Sequence, residues 1–162
     1  MKISNGKKLL ASLSLSLSCA LSGNPLAVDY ISHFTLPENK PLNLPFSDAT
    51  RVGKMIYISG QIGNKPGHME LVPGGIVPET KQAMENIKTI LQEYDAYVED
   101  LIECQVMLAD INDWNAFNEV YLTFFRYNVP ARSTFATTGL ALHARVEVKC
   151  TALKIRSNEW VL

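Results

Sequence analysis

Two charged residues in the last third of the chain have types and spacing suited to chemistry on a small acidic molecule. Arg132 follows Pro130 and Ala131 at the start of a predicted strand, and Glu147 lies fifteen positions later on the polar side of another. A planar guanidinium can hold a carboxylate through two parallel hydrogen bonds, and a neighbouring carboxylate can take a proton from water. The pair predicts a site where a small acidic metabolite reacts with water; the alternative is a surface ion pair between the two side chains.

Hydrophobic periodicity predicts the elements that must position these residues. Alternating or β-rich patterns predict strands over 54–59, 101–109, 132–138 and 145–155. Apolar residues at helical spacing predict one helix from Pro78 to about Tyr94. A second helix is predicted after a cap at Asp110, and its aromatic face, from Trp114 to Phe125, is interpreted as core. Because both helices can cover one face of a mixed sheet, the predicted fold class is α+β.

The other face of the predicted sheet is also partly apolar. It carries Met107, Phe135 and Leu153. A small domain with a second semi-apolar sheet face commonly buries that face against copies of itself. We therefore expect an oligomer from the pattern alone.

The first 27 residues have the features of an export signal. A lysine-bearing start, with Lys2, Lys7 and Lys8, precedes the apolar and serine-rich run 9–21, which is too short to span a bilayer. Cleavage is expected after Ala20 or Ala27, and a lipid anchor or a buried N-terminal helix is the alternative. We expect an exported, periplasmic protein that is not inserted in a membrane after cleavage. An extended arm over 28–43, a domain over 44–156 and a tail over 157–162 would follow.

The charge that remains after cleavage disfavours nucleic acid as a partner. The signal contains three of the 15 Lys and Arg residues, so twelve remain against 16 Asp and Glu, a net charge of −4. Proteins that bind the phosphate backbone are usually basic, because they neutralise phosphates with Lys and Arg. We therefore expect no nucleic-acid partner.

Histidine and cysteine residues outside the signal show no metal-ligand spacing. His33, His68 and His143 are scattered along the chain, and no metal site is predicted. Cys104 and Cys150 both fall on the apolar phase of predicted strands, which favours buried free thiols. A disulfide between them in an oxidising compartment is the alternative.

Several short motifs occur in a characteristic order between residues 44 and 154. They are Ile58-Ser59-Gly60-Gln61-Ile62, Glu85-Asn86-Ile87, Asp110-Ile111-Asn112-Asp113-Trp114, Phe117-Asn118-Glu119-Val120-Tyr121, Phe124-Phe125, Pro130-Ala131-Arg132-Ser133 and Val146-Glu147-Val148. Each motif is weak alone, but in this order and at this spacing the chain resembles the RidA family, also called YjgF/YER057c/UK114.

The resemblance implies a fold, an assembly and an activity. The fold is chorismate-mutase-like, and the assembly is a homotrimer whose three sheets form a central barrel, with active sites in the clefts between subunits. The implied activity is hydrolysis of reactive 2-imino acids and their enamine tautomers to 2-keto acids and ammonia, without a metal or organic cofactor. The alternative is a non-catalytic metabolite-binding or chaperone-like trimer in the periplasm.

The resemblance also assigns site residues position by position. Arg132 matches the arginine that binds the substrate carboxylate, and Glu147 matches the acid that orients or activates water. Asn118 matches a helix asparagine near the pocket, and Ser59 matches a serine at the end of a strand. Thr134 stands where many members have a cysteine whose backbone contacts substrate, so a backbone role can survive the change.

Two positions depart from the pattern of the best-characterised deaminases. Phe46 replaces a tyrosine, which keeps the aromatic wall but loses a hydroxyl. The turn 139–144 is less polar than in those deaminases. His143, in that turn and close in sequence to Glu147, is a further candidate for the cleft.

Overall fold

The alternating segments of the sequence form the central strands of one mixed sheet. A computed structural model describes residues 30–154, in which the strands are β1 (Ile31–Phe34), β2 (Ala49–Val52), β3 (Met55–Ile58), β4 (Gln61–Ile62), β5 (Leu101–Leu108), β6 (Ala131–Ala136) and β7 (Val146–Leu153). The strand order is β1-β2-β3-β7-β5-β6, and β4 also pairs with β7. The β5–β6 pair is parallel and the other pairs are antiparallel.

The first helix, α1 (Ile76–Gln92), covers the middle of the sheet. It begins two residues before the predicted Pro78, directly after Gly74 and Gly75, whose φ angles of 114° and 77° suit glycine. The predicted apolar stripe is its buried face, with Ala83, Met84, Ile87, Ile90 and Leu91 completely inaccessible. Their burial against the strands forms the core that holds the sheet and helix together.

The second helix, α2 (Trp114–Leu122), packs beside α1 and is shorter than predicted. A single 3-10 turn over 111–113 precedes it, where the Asp110 carboxylate accepts a hydrogen bond of 2.9 Å from the Asn112 N–H. Phe124 and Phe125 lie after the helix and still pack against the core. The predicted α+β class, with both helices on one face of a mixed sheet, is confirmed.

The N-terminal segment packs more closely than an extended arm would. Its strand β1 pairs with β2, and Leu36 is only 3% exposed. The buried Asp48 carboxylate explains this packing, because it accepts hydrogen bonds from the Leu36 N–H at 2.8 Å and from the Asn39 amide at 2.9 and 3.0 Å. The predicted signal over 1–27 and the tail over 157–162 lie outside the described residues. Within residues 30–154, no helix has the length and apolar character needed to cross a membrane.

Cys104 and Cys150 form a disulfide, so the interpretation as buried free thiols is wrong. The two residues are register partners on the antiparallel strands β5 and β7, with Cα atoms 4.1 Å apart. Side chains of directly opposed antiparallel residues lie on the same face and close together. Register, which apolar alternation alone does not specify, therefore decided the pairing.

The sheet face away from the helices is partly apolar and open. Phe135 is 46% exposed on this face, and Tyr57 and Ile102 are exposed large side chains. Met107 of β5 and Leu153 of β7 are partly exposed on the same face. Apolar area of this kind commonly marks a contact with another molecule.

Candidate active site

Arg132 is held by three aromatic rings of α2. Its guanidinium carbon lies 5.3 Å from the ring centre of Trp114, 5.4 Å from that of Phe117 and 5.0 Å from that of Tyr121. The three rings recur three and four positions apart, so they share one helix face. A cation this close to aromatic faces is attracted by the electron density of the rings. The predicted aromatic core is thus also the support of the arginine.

The guanidinium borders an open groove of about 460 Å³, the Arg132 groove. The lining residues are Trp114, Asn118, Tyr121, Leu122, Val129, Pro130 and Arg132. Among residues 30–154, no carboxylate forms an ion pair with Arg132, whereas Arg145 donates a hydrogen bond of 2.8 Å to the Asp113 carboxylate. Arg132 is therefore available to bind an external anion, with the predicted Asn118 beside it.

Two buried hydroxyls lie near this arginine. Tyr121 and Thr134 each have a buried side-chain oxygen without a hydrogen-bond partner in the described part of the chain. Burial raises the pKa of Tyr121 to about 12, and the positive charge of Arg132 opposes part of that rise. The phenol is therefore protonated at neutral pH. Thr134 follows Arg132 by two positions on β6 but does not line either groove described here.

Glu147 lies in a second groove of about 270 Å³, the Glu147 groove. The lining residues are Asn39, Leu42, Leu44, Phe46, Asp48, Gly60, Gln61, Ile62, Asn64, Met69, Ala141, Leu142 and Glu147. Burial raises the pKa of the Glu147 carboxyl above its ordinary value, because the ionised form loses contact with water. A carboxylate with a raised pKa is a better proton acceptor near neutral pH.

Gly60 makes the position of this carboxylate possible. A β-carbon at Gly60 would lie 1.8 Å from Oε1 of Glu147, which is far inside a van der Waals contact. The absence of a side chain at Gly60 therefore leaves the space that the carboxylate occupies. Gly60 belongs to the motif Ile58-Ser59-Gly60-Gln61-Ile62, but the motif alone does not reveal this role.

The remaining predicted site residues have different positions. Phe46 lines the Glu147 groove and is 53% exposed. The Ser59 hydroxyl donates a hydrogen bond of 2.7 Å to the Ser47 carbonyl oxygen, and Ser59 lines neither groove. His143 is exposed beside Leu142 and also lines neither. Within residues 30–154, no group of three or more His, Cys, Asp or Glu residues could hold a metal ion.

One protomer does not bring Arg132 and Glu147 together. Arg132 aligns with Cys104 on the face covered by the helices, whereas Glu147 aligns with Met107 on the opposite face. Strand β5 also separates their two strands, β6 and β7. The two side chains therefore form neither a compact site nor an ion pair within one described chain. Each groove therefore contains one of the two predicted catalytic residues.

Comparison with known proteins identifies the family. The family model described as Endoribonuclease L-PSP matches residues 38–154, which is most of the chain. The chain belongs to the RidA (YjgF/YER057c/UK114) family. A mouse relative named 2-iminobutanoate/2-iminopropanoate deaminase is 40% identical over 110 residues, which cover 68% of this chain and 82% of the relative. A human relative of the same name is 40% identical, and the alignment covers 68% of this chain and 80% of the relative.

Solved structures of RidA-family proteins share the fold. A yeast protein aligns with a TM-score of 0.72 at 30% identity, covering 77% of this chain and 99% of its own. RidA from an Antarctic Psychrobacter aligns with a TM-score of 0.66 at 28% identity, covering 78% and 98%. The resemblance drawn from ordered motifs is thus confirmed at the level of family and fold.

Proposed function

We propose that this protein hydrolyses reactive 2-imino acids, and their enamine tautomers, to 2-keto acids and ammonia. The observation that carries the proposal is the Arg132 guanidinium, which three rings hold at a groove without an acidic partner in the described chain. Such a cation suits the carboxylate that every 2-imino acid carries. The names of the mouse and human relatives support the same reaction.

The complete site requires two copies of the chain. Because the Arg132 groove and the Glu147 groove lie on opposite sides of the sheet, a neighbouring protomer must supply the second groove. The open, partly apolar face that carries Phe135 and Tyr57 supports association through the sheet. We propose the homotrimer implied by the RidA family, with three sheets around a central barrel and a cleft at each junction.

In this cleft, Arg132 and Glu147 have separate tasks. Arg132 binds the substrate carboxylate and orients the molecule, while Asn118 and the backbone at Thr134 complete that side. Glu147 accepts a proton from water as the water oxygen bonds to the imine carbon. That proton then moves to the imine nitrogen, which gives a carbinolamine. The carbinolamine hydroxyl passes its own proton through Glu147 to the same nitrogen, the carbon–oxygen double bond forms as the carbon–nitrogen bond breaks, and ammonia leaves the 2-keto acid. No electrons are gained or lost, because the reaction only adds water and releases ammonia.

Phe46 and Ser59 have supporting positions in this proposal. Phe46 supplies an apolar wall beside Glu147 without the hydroxyl of a tyrosine. The Ser59 hydroxyl, which donates to the Ser47 carbonyl, stabilises the strand end next to Gly60. Substrate contact at Ser59 would therefore have to use its backbone or its oxygen lone pairs.

The test supplies an imino acid in the presence of the protein. An amino-acid oxidase generates the imine, semicarbazide traps it, and the disappearance of the trapped product reports hydrolysis. We expect wild type to lower trapping well below buffer and Arg132→Ala to resemble buffer. Trapping that wild type does not change would overturn the deaminase proposal. Stabilisation by 2-keto acids without turnover would instead indicate a binding module.

We also propose that the protein is exported to the periplasm. The predicted signal over 1–27 motivates this, and the Cys104–Cys150 disulfide supports it because disulfides persist in oxidising compartments. Fractionation of cells that produce the full chain tests the proposal. A full-length, uncleaved protein recovered with reduced cysteines from the cytosol would contradict it.

A further inference from the structure

We infer that the Glu147 groove binds the side chain of the substrate, and that the protein prefers 2-imino acids with large apolar side chains. This inference rests on the proposed function and adds a substrate class to it. The preferred compounds would be the imines of leucine, methionine or phenylalanine type rather than the three-carbon 2-iminopropanoate. Four features of the groove carry the argument.

The first feature is the number of large apolar side chains in the lining. Six of the lining side chains are large and apolar, namely Leu42, Leu44, Phe46, Ile62, Met69 and Leu142. Phe46, Met69 and Leu142 are 53%, 50% and 38% exposed. Exposed apolar side chains gathered in one groove, rather than scattered singly, are typical of a ligand-binding surface.

The second feature is that the three amide side chains of the groove already donate hydrogen bonds to other protein groups. The Asn39 amide donates to the Asp48 carboxylate at 2.9 and 3.0 Å. Gln61 donates 3.1 Å to the Ser59 carbonyl oxygen, and Asn64 donates 2.7 Å to a backbone carbonyl. A substrate side chain that accepts hydrogen bonds would therefore compete with existing ones, whereas an apolar side chain would only displace water.

The third feature is the backbone at Leu142. Leu142 and His143 have φ angles of 56° and 61°, in the left-handed region that Gly and Asn adopt far more readily. The turn 141–143 therefore holds a leucine in a conformation that opposes its own preference. Strained positions of this kind concentrate at ligand-binding sites, and here the strained residue lines the groove.

The fourth feature is the direction that remains for the side chain. The carbon that water attacks must lie beside Glu147, and the carboxylate bonded to that carbon must reach Arg132 of the neighbouring protomer. The third substituent, the side chain, then extends along the rest of the Glu147 groove. Leu142, Phe46 and Met69 lie there, so they would determine specificity while Glu147 performs the chemistry.

The expected preference is large enough to measure. One extra methylene in a hydrophobic pocket changes kcat/KM by about tenfold or more, and a leucine-type imine has three more carbons than 2-iminopropanoate. We expect kcat/KM to be at least about tenfold higher for the leucine-type imine. The full chain should also bind 4-methyl-2-oxopentanoate at least about tenfold more tightly than pyruvate.

The decisive variant is Leu142→Asn. Asparagine has a similar size and is more compatible with a positive φ, so the turn should keep its shape. We expect both ratios, kcat/KM between the two imines and Kd between the two keto acids, to fall about tenfold. Ile111→Asn is the matched control, because Ile111 is 48% exposed outside both grooves and should leave both ratios unchanged.

The binding measurement separates this inference from the proposed function. Equal affinity for pyruvate and 4-methyl-2-oxopentanoate would overturn the side-chain preference, even if 2-iminopropanoate is hydrolysed. An equal fall of the ratios in Leu142→Asn and Ile111→Asn would also overturn it. A tenfold binding preference that depends on Leu142, without any imine turnover, would support the groove and overturn only the deaminase proposal.

Discussion

The substitution Gly60→Ala tests whether Glu147 must occupy its observed position. A β-carbon at Gly60 would lie 1.8 Å from Oε1 and 2.7 Å from Cδ of Glu147. Because ordinary contact begins at 3.4 Å, the carboxylate oxygen must move by about 1.6 Å, the difference between the two distances. The backbone at Gly60 does not have a positive φ, so alanine itself fits the chain there.

The expected loss of activity is much larger than the expected loss of stability. A reacting group displaced by about 1 Å can cost about 100-fold in rate, so we expect kcat/KM to fall by about 100-fold. A shifted rotamer at Glu147 costs about 0.5–1.5 kcal/mol. Alanine restricts the unfolded chain more than glycine does, which offsets about 0.4–1 kcal/mol of that cost. The free energy of unfolding should therefore change by no more than about 1 kcal/mol.

The imine-trapping assay and urea unfolding measure these two quantities. Gly139→Ala is the matched control, because nothing lies within 4 Å of the added carbon and Gly139 lacks a positive φ. It should retain wild-type activity. A stable Gly60→Ala protein with more than half of wild-type activity would refute the role given to Glu147. A large loss of stability would refute the inference that its carboxylate can move aside.

Three further predictions concern the two grooves and the disulfide. Arg132→Lys keeps the charge but loses the paired hydrogen bonds to a carboxylate, so 2-keto acids should bind about tenfold more weakly or worse. Calorimetry measures this affinity, and an unchanged value would contradict the paired hydrogen bonds of Arg132. Because burial raises the pKa of Glu147, its ionisation opposes folding, and wild type should lose stability relative to Glu147→Gln as pH rises through that pKa. Melting curves from acid to neutral pH check this, and a pH-independent difference would count against it. Reduction of the Cys104–Cys150 bond, whose cysteines are 46 positions apart, should lower the free energy of unfolding by about 4 kcal/mol. Urea midpoints that reductant leaves unchanged would disprove the stabilising role.

Local patterns were sufficient to predict most elements of the fold. Alternation at Val146, Val148 and Cys150 identified the buried face of β7, because successive strand residues point to opposite sides. Helical spacing from Ala83 to Leu91 identified the buried stripe of α1. The ordered motifs indicated the RidA family, which the comparisons confirm. The strand and helix patterns depend on neighbours within a few positions, and the motifs depend on their order along the chain, so all of them are visible in one sequence.

Side-chain packing between distant segments could not be predicted in the same way. The buried Asp48 carboxylate anchors Leu36 and Asn39 twelve and nine positions away, although the proline-containing segment suggested an extended arm. The positive φ at position 142 could not be predicted, because the residue there is leucine and not glycine or asparagine. The aromatic face of α2 was predicted as core. It also supports the Arg132 guanidinium, and this contact could not be predicted because it depends on where β6 lies relative to α2.

The sequence by itself determined the residue types of the site, the buried phase of β5 and β7, and the family. Only the tertiary structure decided that Cys104 and Cys150 are bonded, and that Arg132 and Glu147 lie on opposite faces of the sheet. The physical reason is strand register. Alternation specifies which residues of a strand share a face, but pairing through β5 specifies how the residues of β6 and β7 align, and that pairing depends on contacts across the whole sheet.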